Sequence, residues 1–171
     1  MEHPPAWARP LAWCLHALGL LLCIAPLLDL AAGVGSINPE QVPWRFGAFG
    51  LLSGALVLPM VGLGLILVAS VLLEQVGLTR AVGVLAALGL VAILAVLVVF
   101  ALDALQVRAQ IRQEAKRPFD LATVKALATY GMESLVALTV AIQSFKLART
   151  ATAGRRTRKS ASPLVVSQGE G

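Results

Sequence analysis

The chain has 171 residues, of which 58% are hydrophobic and 13% charged, and its mean hydropathy is +0.83. Soluble domains average about 25% charged residues, so this composition excludes a conventional soluble enzyme, a disordered chain, a coiled coil and a disulfide scaffold. The net charge of +5 would suit a nucleic-acid binder, but the basic residues cluster beside the apolar runs, as membrane-topology signals do. We therefore predict an all-α, polytopic integral membrane protein that binds no nucleic acid.

Three uncharged runs are long enough to cross a bilayer, whose hydrocarbon core needs about 20 apolar residues. They predict transmembrane spans at about residues 10–32, 46–73 and 80–104. A polar loop that ends at Trp44 separates the first two spans. Residues 74–80 form the connection between the second and third spans. Because this connection is short, we expect those two spans to form a tight antiparallel hairpin.

The fourth segment, at about residues 121–147, is ambiguous because it contains Lys125 and Glu133. Its strongly apolar residues favour insertion by about 2–4 kcal/mol, whereas one central carboxylate costs about 2.5–3.5 kcal/mol. Insertion of the isolated segment is therefore marginal, although packing against other helices favours it. Residues 134–145 are uncharged and place apolar side chains around most of the helix. This also favours a span, because an interfacial helix would have one polar face.

Lysine and arginine counts bear on the same question. With four spans, eight of these residues lie on the side of the membrane that holds both termini and six lie on the other side. Three spans and an interfacial amphipathic fourth helix divide them twelve to two, which satisfies the positive-inside rule better. We predict a four-helix transmembrane bundle over residues 10–148, with three spans as the alternative.

The flanks complete the predicted organisation. Residues 1–9 form a short N-terminal segment, and residues 149–171 form a basic, disordered tail that binds anionic lipid headgroups. The sequence predicts a multi-pass protein of a bacterial inner membrane with both termini in the cytoplasm. Residues 30–32 also resemble a signal-peptidase site, so cleavage of residues 1–32 is an open alternative.

Four ionisable residues in or near the predicted spans form a candidate intramembrane polar site: Asp29, Asp103, Lys125 and Glu133. Intramembrane charges are candidates for ion or proton pathways by default, while the alternative is solvation at the helix ends. Lys125, Thr129 and Glu133 recur every four residues and predict one polar stripe. Glu133 would either bond to Ser53 or a backbone carbonyl, as a structural group, or carry protons in a relay.

His16 is the residue with a candidate cofactor role. Ala12 precedes it by one helical turn, which leaves room for a flat ring beside the imidazole. This Ala-x-x-x-His spacing resembles the surroundings of the pigment ligand in bacterial light-harvesting polypeptides. The resemblance covers five residues and implies a macrocycle held by His16. The alternative is a histidine near the membrane interface, and no cofactor is predicted otherwise. Cys14 and Cys23 are predicted to be apolar packing residues.

The second span carries glycines that predict close helix packing, namely Gly47, Gly50, Gly54 and Gly62. Small residues let helix backbones approach and gain contacts that lipid does not provide. We therefore expect Gly54→Leu to be more damaging than the same change at Gly89. Pro59 should kink the same span because it lacks a backbone N–H.

No nucleophile–base pair, metal-ligand cluster or phosphate-binding loop is recognisable in the sequence, so we predict neither an enzyme nor a metal site. The leading hypothesis is a non-catalytic structural or accessory subunit that packs with itself or with a larger membrane complex. The alternative hypothesis is a small transporter or channel component that uses Glu133 and Lys125.

Overall fold

A computed structural model describes residues 7–33, 38 and 40–160 of the chain. Five helices are present there: α1 (Ala8–Gly33), α2 (Val42–Ala55), α3 (Val57–Leu72), α4 (Val76–Gln110) and α5 (Gln113–Ser160). Helices α2 and α3 together form one apolar stretch, so four stretches in the described residues are long and apolar enough to cross a membrane. The predicted all-helical, four-span fold class is confirmed.

The second span is broken near its middle, between α2 and α3. Pro59 cannot donate to a carbonyl one turn earlier, and this missing hydrogen bond weakens the helix at that level. The interruption lies at Leu56, whose N–H still donates to the Leu52 carbonyl at 3.0 Å. The predicted kink is therefore a one-residue interruption, since Leu56 keeps right-handed helical φ and ψ angles and its carbonyl accepts from the Met60 N–H at 3.1 Å.

The connection between α3 and α4 is as tight as the sequence predicts. Glu74 adopts a left-handed φ of 54°, which reverses the chain within a few residues. The Gln75 N–H donates to the Ser70 carbonyl at 2.9 Å and closes the end of α3. Helices α3 and α4 are consequently antiparallel neighbours.

Helices α4 and α5 pack antiparallel along their shared length. Arg108 bonds to Asp120 at one end of this contact, and Arg80 bonds to Thr152 at the other. The buried face of α5 repeats every three or four residues and consists of Ala126, Tyr130, Glu133, Ala137, Ala141, Ser144 and Ala148. Most large aliphatic residues of α5 are exposed, whereas Leu127 and Val140 pack partly against the core. Helix α5 runs beside α4 from end to end, as a fourth span would, and it is long and apolar enough to cross a membrane.

Helix α1 lies at the edge of the bundle. Among the described residues it contacts α2 and α3 and touches neither α4 nor α5. Its closest approach to α3 is at Gly19 and Gly62, where a Cβ on Gly62 would lie 2.5 Å from the Gly19 carbonyl oxygen. The arrangement is therefore a three-helix core of α2/α3, α4 and α5, with α1 attached to α3.

Of the four glycines predicted to pack helices, Gly62 lies in a close contact within this chain, whereas Gly47, Gly50 and Gly54 do not. A Cβ on any of these three would meet no atom within 4 Å, because they lie on the outward side of α2. Gly89 has one neighbour, Met60, at 3.9 Å from its ideal Cβ, which is ordinary contact. The structure therefore gives no reason for Gly54→Leu to be the more damaging change within one chain.

The element bounds also differ from the sequence prediction at both ends of the chain. Helix α1 begins at Ala8, inside the predicted N-terminal segment, and α5 continues to Ser160. The first part of the predicted disordered tail is thus helical, because its alanines and basic residues have high helix propensity. Residues 1–6 and 161–171 lie outside the described residues.

The bundle has two ends, which we name after residues there. The Arg45 end is formed where α2 begins, α4 ends and α5 begins, and the Arg80 end is formed where α3 ends and α4 begins. Reporters fused after Lys159 and within residues 110–115 should therefore lie on opposite sides of the membrane, because α5 crosses between them. Paired cytoplasmic and periplasmic reporters at each site would measure this. Cytoplasmic signal from both sites would contradict a spanning α5.

Candidate functional site

A buried ion pair ties α2 to α4 at the Arg45 end. Arg45 lies in the first turn of α2, and Asp103 lies in the last two turns of α4. The guanidinium donates from Nε to Oδ2 at 2.9 Å and from Nη2 to Oδ1 at 2.7 Å. These two hydrogen bonds make the pair two-pronged. The carboxylate is shielded from solvent, because Asp103 is only 2% exposed. Arg45 lies just outside the span predicted at residues 46–73, and the predicted polar site did not include it.

Aromatic rings pack directly beneath this ion pair. Phe46 stacks on Phe100 with ring centroids 4.9 Å apart and on Phe119 with centroids 5.0 Å apart. The ring centroids of Phe100 and Tyr130 are 6.0 Å apart. The Tyr130 hydroxyl donates a hydrogen bond to the Phe49 carbonyl. Helices α2, α4 and α5 each supply rings to this cluster, which lies at the Arg45 end of the core.

A second ion pair lies outside the cluster. Arg108 of α4 donates to both carboxylate oxygens of Asp120 on α5, at 2.8 and 2.9 Å. Both side chains are exposed, so water and salt screen this pair far more than the Arg45–Asp103 pair. The two pairs have the same chemistry in different surroundings, which makes them a matched comparison.

Glu133 is the most unusual polar residue of the bundle. It is 4% exposed, and neither carboxyl oxygen has a hydrogen-bond partner among the described residues. Its neighbours on the buried face of α5, Tyr130 and Ala137, belong to the main apolar cluster together with Ile93. Ser53, the partner considered from the sequence, donates to the Gly50 carbonyl of its own helix at 2.7 Å. The structural hydrogen bond expected of Glu133 is therefore not formed.

The four candidate polar residues do not form one site. Asp29 is exposed on α1, which contacts neither α4 nor α5 in the described part of the chain. Asp103 pairs with Arg45 rather than with Lys125. Lys125 is exposed on the outer side of α5, whereas Glu133 faces inward. The predicted stripe is wrong because positions eight residues apart are separated by about 80° around an ideal helix.

His16 faces α3 and not an open groove. Its Nδ1 lies 3.0 Å from the Ala12 carbonyl oxygen, which is hydrogen-bond distance to the preceding turn of the same helix. Ala12 is fully buried, and the Nε2 atom of His16 is buried without a partner. Because His16 is 9% exposed and Ala12 is fully buried, the space that the light-harvesting resemblance reserves for a macrocycle is not open. The residues present therefore do not fit that group in this arrangement.

The remaining candidate ligands are dispersed. Cys14 is exposed, and the Cys23 thiol approaches the Pro59 carbonyl oxygen at 3.5 Å. Within the described residues, no three His, Cys, Asp or Glu side chains are grouped so that they could hold a metal ion. The site thus consists of Glu133, the aromatic cluster and the Arg45–Asp103 pair.

Comparison with protein-family models, with curated proteins and with solved structures finds no match for the chain. The fold and its apolar surface define the class: an all-helical protein with four stretches able to span a membrane. Its function must be argued from its own residues.

Proposed function

We propose that the protein is a non-catalytic structural or accessory subunit of a membrane complex, which packs with itself or with other membrane proteins. The observation that carries this proposal is the Arg45–Asp103 pair, which uses the buried charges of α2 and α4 to hold the two helices together. Charges committed to each other in this way serve the architecture of the bundle, since neither is available to a passing ion.

The outward face of α2 supports the same proposal. Gly47, Gly50 and Gly54 lie there with open space beyond their Cα atoms, so another helix could approach the backbone closely. Within one chain no neighbouring helix packs closely against these glycines. A face of this kind suits a subunit that packs against a further transmembrane helix.

We propose a bacterial inner membrane as the location, with both termini in the cytoplasm and the Arg45 end on the outer side. The basic residues of the Arg80 end and of the C-terminal segment support this orientation through the positive-inside rule. Anionic lipid headgroups are the proposed partners of the C-terminal basic cluster.

Transport is the second candidate function, and one observation favours it: Glu133 is buried without a partner. The part assigned to Lys125 lacks such support, since that side chain lies on the exposed side of α5. A transport function would therefore depend on Glu133 alone.

Purification of the tagged, full-length protein from its native membrane in a mild detergent tests the accessory function. We expect a stoichiometric membrane partner or a defined homo-oligomer. Gly54→Leu should weaken that association while the monomer still folds, and Gly64→Leu is the matched control, since both glycines face open space. A monomer without partners that conducts protons in liposomes would contradict the proposal and favour transport.

A further inference from the structure

Polar groups approach Glu133 from one end of the bundle. Tyr130 precedes it by three residues on the buried face of α5, about 4.5 Å along the axis. The Tyr130 hydroxyl donates to the Phe49 carbonyl, which lies one turn after Arg45 on α2. The Arg45 side chain is 28% exposed, so this series of polar groups begins at the solvent-facing surface of the Arg45 end.

The opposite direction offers no such series. Ala137 and Ala141 follow Glu133 on the buried face, and the next polar side chain there is Ser144, about 16 Å away along the axis. At that level α5 packs tightly on α4, since a Cβ on Gly83 would lie 2.9 Å from the Ser144 Cβ. The Ser144 hydroxyl is itself buried without a partner. Between Glu133 and Ser144 the buried face of α5 is therefore apolar, and it is closely packed on α4 at Ser144.

We propose that Glu133 is a protonation site inside the bundle, and that its proton exchanges with water from the Arg45 end only. This inference is independent of the accessory function proposed above, because a protonation site can exist in a subunit with or without partners. It also differs from transport, since a site connected to one end does not conduct across the membrane.

A proton is the cation that this environment suits. Metal cations such as Ca²⁺ require six or more oxygen ligands. The carboxyl oxygens of Glu133 have no polar partner among the described residues, and its neighbours on the buried face of α5, Tyr130 and Ala137, belong to the apolar cluster. An isolated carboxylate would be costly among these side chains, while the neutral acid needs no counter-charge.

The ionisable groups on the surrounding helices do not change this conclusion. On its own helix Glu133 faces Tyr130, and α3 contains no ionisable residue. The ionisable residue of α2 is Arg45, which is paired with Asp103 of α4. Arg80 and Arg108 lie near the two ends of α4, where they bond to Thr152 and Asp120 of α5.

Infrared difference spectroscopy on the full-length protein in lipid bilayers tests the site. The wild-type spectrum should contain a protonated-carboxyl band that is absent from Glu133→Gln, and the band should shift when the buffer is changed to D₂O. Glu114→Gln is the control, because Glu114 is exposed in the first turn of α5 and should leave the band unchanged. Absence of the band, or a band that D₂O does not shift, would overturn the proposal.

The route of exchange is tested by the rate of the D₂O shift. Tyr130→Phe removes the hydroxyl that precedes Glu133 on the buried face of α5 and should slow the shift about tenfold. Ser144→Ala removes a buried hydroxyl on the other side and should leave the rate unchanged. Phe46→Ala removes the ring between Phe100 and Phe119 and should accelerate the shift, which keeps the test decisive if Tyr130→Phe does not fold. Slowing by Ser144→Ala, or no change in Phe46→Ala, would overturn entry from the Arg45 end.

Discussion

Replacing Arg45 by methionine should lower the midpoint of thermal unfolding by about 10 °C, because it leaves the buried Asp103 carboxylate without its partner. The loss comes from stranding a desolvated charge, not from a favourable contact alone. The double variant Arg45→Met with Asp103→Leu should therefore recover most of the midpoint, since it removes both charges from the interior. Thermal unfolding of the purified protein in detergent measures all three proteins.

Arg108→Met is the matched control for this prediction. It breaks an arginine–carboxylate pair of the same two-pronged geometry, but both partners are exposed to solvent. We expect the midpoint to fall by about 2 °C or less. If the Arg45 and Arg108 variants unfolded at the same temperature, burial of the Arg45–Asp103 pair would have no energetic consequence.

The second large effect is expected at Gly62. Gly62→Ala adds a Cβ that would lie 2.5 Å from the Gly19 carbonyl oxygen and 2.7 Å from the Cys23 Sγ. The nearer atom belongs to the backbone of α1, so α1 must move away from α3 to relieve the clash. We expect a loss of about 1–3 kcal/mol in the free energy of unfolding.

Gly54→Ala provides the comparison, because its Cβ would meet no atom within 4 Å. This variant should leave stability unchanged or raise it by up to about 1 kcal/mol, since alanine favours the helix more than glycine does. Unfolding of the two variants in detergent measures their free energies of unfolding. Equal stabilities would show that α1 and α3 are not in close contact at Gly19 and Gly62.

The sequence was sufficient to predict which segments are helical and apolar enough to span a membrane. Lipid acts as the solvent there, so run length and charge content set the spans, and the short connection near Glu74 sets the hairpin. Pro59 likewise indicated the interruption of the second span, because a missing N–H acts locally.

The faces of the helices could not be predicted in the same way. Lipid tails are as apolar as a leucine-rich core, so hydropathy does not distinguish the inward side of a span from its outward side. For this reason Gly54 was expected in a close helix contact, which Gly19 and Gly62 make instead, and Lys125 was expected on the same face of its helix as Glu133. The Arg45–Asp103 pair joins residues 58 positions apart, and only the rotation of α2 relative to α4 brings them together.

The attachment of α1 to α2 and α3 alone has a consequence for how the chain assembles. The most extensive helix contacts join α1 to α3 and α4 to α5, so besides the α3–α4 turn the chain contains two antiparallel hairpins, α1 with α2/α3 and α4 with α5. A chain that inserts from its N-terminus can complete the first hairpin before the second has been synthesised. During that interval Arg45 lies at the membrane surface, where water can solvate it. The Arg45–Asp103 pair then forms when the second hairpin docks, so the joining of the two halves is the step in which the buried charges leave water.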